Sequence, residues 1–161
     1  MAELNDRLGT QVLFDLVVDV GVPQDLRSSR NEGRLIYNAR GGVFEGERMR
    51  GQVQPVIGDW ASIKGDLAVI DVRLRLLTDD GATIIACGHS EQQLDDELVR
   101  AMEKGLQPPN ETYAVHVAFT FETADPLYTW LNTVTATASG WRTERGMEFR
   151  FLQNCRHAVD A

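Results

Sequence analysis

Lysine is scarce: of the 16 basic residues 14 are Arg, and only Lys64 and Lys104 are Lys. Arg favours bidentate recognition of carboxylates and phosphates, which makes some of these side chains candidate ligand contacts, although biased genome composition accounts for most of them. Cysteine is equally scarce. Cys87 and Cys155 lie far apart in a chain of 161 residues and in no metal-ligand spacing, so neither a disulfide scaffold nor a zinc site is expected. Apolar runs of about 18 residues are missing, which excludes a membrane-spanning helix. The first ten residues are polar and of mixed charge, without the apolar centre of a signal peptide, and a cytoplasmic location follows as the default. No internal repeat or low-complexity stretch interrupts the chain. No G-x-S-x-G, P-loop or G-x-G-x-x-G motif occurs either, so serine hydrolase, nucleotide hydrolase and dinucleotide-binding chemistry have no support. No motif calls for a cofactor. The formal net charge of −8 repels phosphate backbones, which argues against nucleic acid as a partner.

What is present is alternation. Apolar residues make up 43% of the chain, enough for one continuous core in a single domain over 1–161, with residues 1–9 and 156–161 expected as flexible ends. Residues 11–20 are rich in Val and read as a first strand, and residues 21–33 as a long loop. Strands are predicted at 34–37, 42–48 and 49–55, with Gly41, Gly42 and Gly46 permitting bulges at barrel corners. The clearest strand covers 67–77: Ala68, Ile70, Val72, Leu74 and Leu76 share one face, and Asp71 and Arg73 share the other. Asp79-Asp80-Gly81 suits a tight hairpin turn into a partner strand at 82–88. One amphipathic helix is predicted over 91–104, capped by Ser90. Strands are then expected at 113–122, 128–138 and 147–154, with turn residues around 140–146. One helix among about eight to ten strands indicates an all-β antiparallel barrel or sandwich.

Four stretches carry a family resemblance: Gly42-Val43-Phe44-Glu45-Gly46; Gly58-Asp59-Trp60; Asp71-Val72-Arg73 with Thr78-Asp79-Asp80-Gly81; and Phe121-Glu122-Thr123 with Tyr128-Thr129-Trp130-Leu131-Asn132. In order and spacing the chain resembles the DUF3237 family, also called UPF0311, across roughly residues 10–152. The resemblance implies an up-and-down, lipocalin-like antiparallel barrel around a small-molecule cavity, and it implies no agreed activity. His116-Val117 stands where members often carry Arg-Thr, and Leu74 where Tyr is common, so a relative's ligand does not transfer.

The resemblance draws Asp71 and Arg73 into the cavity, where Arg73 would hold an anion and Asp71 would orient it or act as a base. Alternation alone favours the opposite orientation, with both in solvent. His116, near the middle of its strand, is the second candidate for proton transfer, and Glu122 shares its face. Glu45, Trp60, Glu122, Tyr128, Trp130 and Asn132 are candidate ligand contacts, Trp60 as an aromatic wall and Tyr128 with Asn132 as donors to a developing oxyanion. For Trp60, Tyr128 and Asn132 ordinary core packing or hydrogen bonding is the competing explanation. His89 reads as structural. His89, His116 and Asp71 lack the spacing of a metal site. Two functions follow: a cofactor-independent isomerase, cyclase or lyase acting on a carbonyl or aromatic metabolite, or a non-catalytic small-ligand carrier. The apolar face of the 113–122 strand is expected to seek cover from the helix or from a second copy, which favours a homodimer.

Overall fold

The computed structural model describes residues 8–104 and 114–156. Ten strands form one antiparallel sheet: β1 (Leu8–Val20), β2 (Gln24–Asp25), β3 (Glu32–Glu45), β4 (Arg50–Gln54), β5 (Val56–Lys64), β6 (Leu67–Thr78), β7 (Thr83–Gln93), β8 (Val115–Glu122), β9 (Thr135–Thr143) and β10 (Gly146–Arg156). From β6 to β10 each strand pairs with its sequence neighbour, and β10 returns to β1. The ring closes because β1 also pairs with β3, while β4 and β5 divide the length of β3 between them and hand on to β6. Counting β4 and β5 as one bent position, eight strands enclose the core, so the expected up-and-down barrel is the fold. Among the described residues closure leaves no long bare sheet edge.

Alternation decides which side chains fill the ring. Along β6, Ala68, Ile70, Val72, Leu74 and Leu76 are buried while Asp71, Arg73 and Arg75 are exposed. Along β8, Val115, Val117, Phe119 and Phe121 are buried while His116, Ala118, Thr120 and Glu122 are exposed. The apolar face of β8 therefore points inward, and the surface on which the homodimer expectation rested is not on the outside. A register shift between Val12 and Phe14 lets consecutive residues Leu13 and Phe14 both enter the core. At Gly42 an added Cβ would lie 2.1 Å from the Val17 carbonyl oxygen, so β3 approaches β1 at a distance only glycine permits.

One end of the interior is an aromatic block. Phe14 and Phe151 stack at 4.3 Å between centroids, Phe119 lies 4.7 Å from Phe151, and Phe44 and Phe121 lie 5.5 and 6.2 Å from Phe14. A 3-10 turn, Thr129–Thr133, buries Leu131 completely. The predicted strand at 128–138 thus begins only at Thr135.

The helix is shorter than expected. Hydrogen bonding along β6 carries β7 through Gln93, and α1 spans Asp96–Glu103 with Asp95, not Ser90, as its cap. The Asp95 carboxylate accepts from the Leu98 N–H at 2.7 Å. Leu98, Val99 and Met102 are buried, and Asp96 and Glu97 in the first turn with Arg100 in the last suit the helix dipole. Ser90 instead faces inward and donates to the His116 carbonyl at 2.7 Å.

Other boundaries differ as well. The strands expected at 34–37 and 42–48 are one continuous β3, β5 was not anticipated, and Gly140 lies within β9 instead of a turn. Leu8, Gly9 and Arg156, assigned to flexible ends, are paired strand residues. The remaining end residues, Tyr113 and His157 lie outside the described residues.

Candidate functional site

On the inner face β3 and β5 place the small residues Ala39 and Ala61; Ala39 pairs with Val20 and Val56, and Ala61 with Leu35 and Ile70. The space they release is a hollow of about 90 Å³ inside the ring. Val18 and Val20 of β1, Ile70, Val72 and Leu74 of β6, Val115 and Val117 of β8, and Met147 and Phe149 of β10 form its walls. Phe119 and Phe151 line it from the aromatic block, and Met102 lines it from α1. Among the described residues of this lining the one polar side chain is Tyr37, whose hydroxyl donates to the Met102 carbonyl at 2.9 Å and so ties β3 to the last turn of α1. Sequence reading missed Tyr37, Ala39 and Ala61, because small inward residues leave no periodic signal of the space beside them.

The catalytic candidates face the other way. Asp71 and Arg73 alternate with the lining residues of β6, and His116 with those of β8, so all three are exposed on the outer wall. This corrects the orientation that the family resemblance had suggested, and the reason is ordinary: none of the three has a buried partner to offset desolvation. They are not brought together either. Asp71 Oδ1 meets His89 Nδ1 at 2.9 Å, and Arg73 reaches Cys87 Sγ at 3.1 Å, both across the β6–β7 ladder. His116 pairs with the Ser139 hydroxyl at 2.8 Å.

The proposed ligand contacts are dispersed. Trp60 is 42% exposed on the outer face, with Arg34 5.0 Å from its ring. Glu45 ends β3 on the outside, and Glu122 is exposed at the end of β8. Tyr128, Trp130 and Asn132 do not alternate on a strand, because they surround or occupy the 3-10 turn. The Tyr128 hydroxyl donates to the Asp80 carboxylate at 2.9 Å; burial first, and then that carboxylate, raises its pKa, so it remains a donor. Hydrogen bonds from Thr78 and then Tyr128 lower the pKa of Asp80 in turn. Arg48 lies over the Trp130 ring at 3.6 Å. Asn132 accepts from the Thr123 N–H and donates to the Thr123 carbonyl, both at 2.9 Å. Each contact holds the turn against the barrel.

The family model for DUF3237, described as a protein of unknown function, matches residues 9–153. The chain belongs to the DUF3237 family. Solved structures agree with the fold of this DUF3237 barrel. A β-barrel-like protein from Acinetobacter baumannii is 28% identical with a TM-score of 0.72, covering 92% of this chain and 96% of that one. A conserved protein of unknown function from Rhodopseudomonas palustris is 25% identical with a TM-score of 0.77, covering 92% and 98%. An enzyme from Penicillium herquei, 20% identical with a TM-score of 0.69 over 92% and 96% of the two chains, shares the fold. No curated protein matches the chain. Among the described residues no group of His, Cys, Asp or Glu has the arrangement to hold a metal ion, and no helix is long and apolar enough to cross a membrane.

Proposed function

We propose that this DUF3237 protein binds a small, predominantly apolar molecule inside its ring, with the Tyr37 hydroxyl as the polar contact. The observation that carries this reading is the hollow itself. Close-packed interiors retain few voids larger than a water molecule. At about 24 cal/mol per Å³, an empty space of 90 Å³ costs about 2 kcal/mol of stability. Ala39 and Ala61 keep that space open when a larger side chain at either position would fill it, and an occupant would recover the lost contacts. The lining sets the chemistry: hydrocarbon or aromatic groups against Val, Leu and Phe, and one donor toward the phenol oxygen, whose own proton goes to the Met102 carbonyl.

The competing reading, a cofactor-independent isomerase, cyclase or lyase, needs an acid and a base at the bound molecule. Among the described lining residues Tyr37 is the only proton-transfer group, whereas Asp71, Arg73 and His116 lie across the sheet from the hollow. Ligand holding is therefore the function better supported. Benzene and xenon are suitable probes, since an apolar cavity of roughly 150 Å³ accepts both. Wild-type protein should show saturable shifts of the Val72, Leu74 and Met147 methyl resonances with xenon, and Ala61→Phe should remove them at unchanged fold. Absence of saturable shifts in the wild type, or equal shifts in Ala61→Phe, would refute the reading.

A further inference from the structure

A molecule held in the hollow needs a way in, and the sheet offers none. Each strand around the hollow is paired on both flanks, so displacing one breaks two ladders. Lengthwise, β1 and β8 run from the hollow, at Val20 and Val115, into the aromatic block, at Phe14 and Phe121. That end is filled. Met102 lines the hollow from α1, and moving α1 breaks no ladder, since β7 ends at Gln93 and the helix begins at Asp96.

A helix of eight residues does not hold its shape in water, so α1 depends on what it leans against. Its first turn is anchored through the backbone. The Leu94 N–H donates to the Asp66 carbonyl at 2.7 Å, and the Asp95 carboxylate caps the helix. The last turn is clasped by side chains. Tyr37 donates to the Met102 carbonyl at 2.9 Å, and Arg27 donates to the Glu103 carboxylate at 2.9 Å. Arg27 is prepared for that contact: its side chain is only 8% exposed, and the Asp25 carboxylate grips the guanidinium at 2.9 and 2.7 Å. One end is therefore tied by the main chain, and the other by contacts that part without disturbing the barrel.

We propose that α1 is the gate of the hollow. The helix swings about Leu94 and Asp95; release of Glu103 from Arg27, and of the Met102 carbonyl from Tyr37, lifts Met102 away and admits the ligand. The gate rests on the reading of the hollow as a ligand site. While the open state stays minor, the clasp sets how fast a ligand enters and leaves, not how tightly it is held.

Glu103→Ala removes the helix side of the clasp, leaves Arg27 with Asp25, and alters no residue of the lining. Two rates are read on the full chain by NMR: amide hydrogen exchange of residues 99–102, and exchange of benzene between water and the hollow, from the Val72 and Leu74 methyl line shapes. In the wild type, residues 99–102 should exchange at least about tenfold faster than the central amides of β6 and β8, after correction for intrinsic rates. Loss of a charge-assisted hydrogen bond in Glu103→Ala should raise helix opening and both benzene rates about tenfold, with Kd within about twofold of the parent. Arg150→Gln, which breaks an exposed ion pair with Asp15 on the barrel wall, should leave both rates within about twofold. The gate is overturned if residues 99–102 exchange as slowly as β6 and β8, if Glu103→Ala leaves helix opening unchanged, or if the helix opens faster while the benzene rates stay the same. Absence of any methyl response to benzene in the wild type would remove the reading of the hollow itself, and the gate with it.

Discussion

Replacing Phe151 with Ala tests packing and ligand capacity together. Phe151 is fully buried, stacks on Phe14 at 4.3 Å and touches Phe119 at 4.7 Å, and it also lines the hollow. Removing the ring frees roughly 100 Å³, which at 24 cal/mol per Å³ costs about 2.4 kcal/mol before transfer is counted. Loss of buried ring surface and of three aromatic contacts, with Phe14, Phe119 and Phe121, brings the expected destabilisation to about 4 kcal/mol. For a domain of this size that lowers Tm by roughly 8–16 °C. Urea unfolding followed by circular dichroism measures the first quantity and calorimetry the second. The enlarged space, roughly double the original 90 Å³, should also bind benzene more tightly than the wild type does. A loss below about 2 kcal/mol would mean that the aromatic block collapses into the hollow and that the two are not separately maintained. Unchanged benzene affinity would show that the hollow is closed to that face.

Two further outcomes follow. Hydrogen bonds from Arg27 hold the Asp25 carboxyl down at about 2, so its contribution to stability is complete above pH 4 and disappears as pH falls toward 2; Asp25→Asn should therefore lower the urea midpoint at pH 6 and match the wild type near pH 2. The effect is small, because the carboxylate is half exposed. Asn132→Ala strips the Thr123 N–H and carbonyl of their partners and should cost about 1–2 kcal/mol in chemical unfolding while leaving xenon binding intact, whereas a role at the bound ligand would change binding with little change in stability.

Strands with strict alternation were readable without coordinates. Those now seen as β6 and β8 follow the pattern residue by residue, because a half-buried strand must place apolar side chains on one face. The strand β5 escaped notice because its pattern is inverted in size: Ile57 and Trp60 point out and are exposed, while Gly58 and Ala61 point in. Hydrophobicity marks the wrong face there. The turn at Thr129–Thr133 was mistaken for a strand for a related reason, since Tyr128, Trp130 and Asn132 alternate by coincidence while backbone hydrogen bonds from Leu131 to Tyr128 and from Val134 to Leu131 wind the chain tightly. Polar residues on β6 and β8 were drawn inward by resemblance against their own alternation, and the alternation was the better guide. The hollow was illegible because it depends on what is missing at Ala39 and Ala61, and absent volume leaves no periodic signal.

Ten residue pairs join β1 to β10, and the other edge of β1 belongs to β3. During synthesis the first strand must wait for the last before its second flank is satisfied, so the ring cannot seal until nearly the whole sheet has left the ribosome. Until then two unprotected rims are available to neighbouring chains. Loss of β10 would leave this trap permanent, exposing the Phe14 side of the core to water and converting a sealed ring into a template for aggregation.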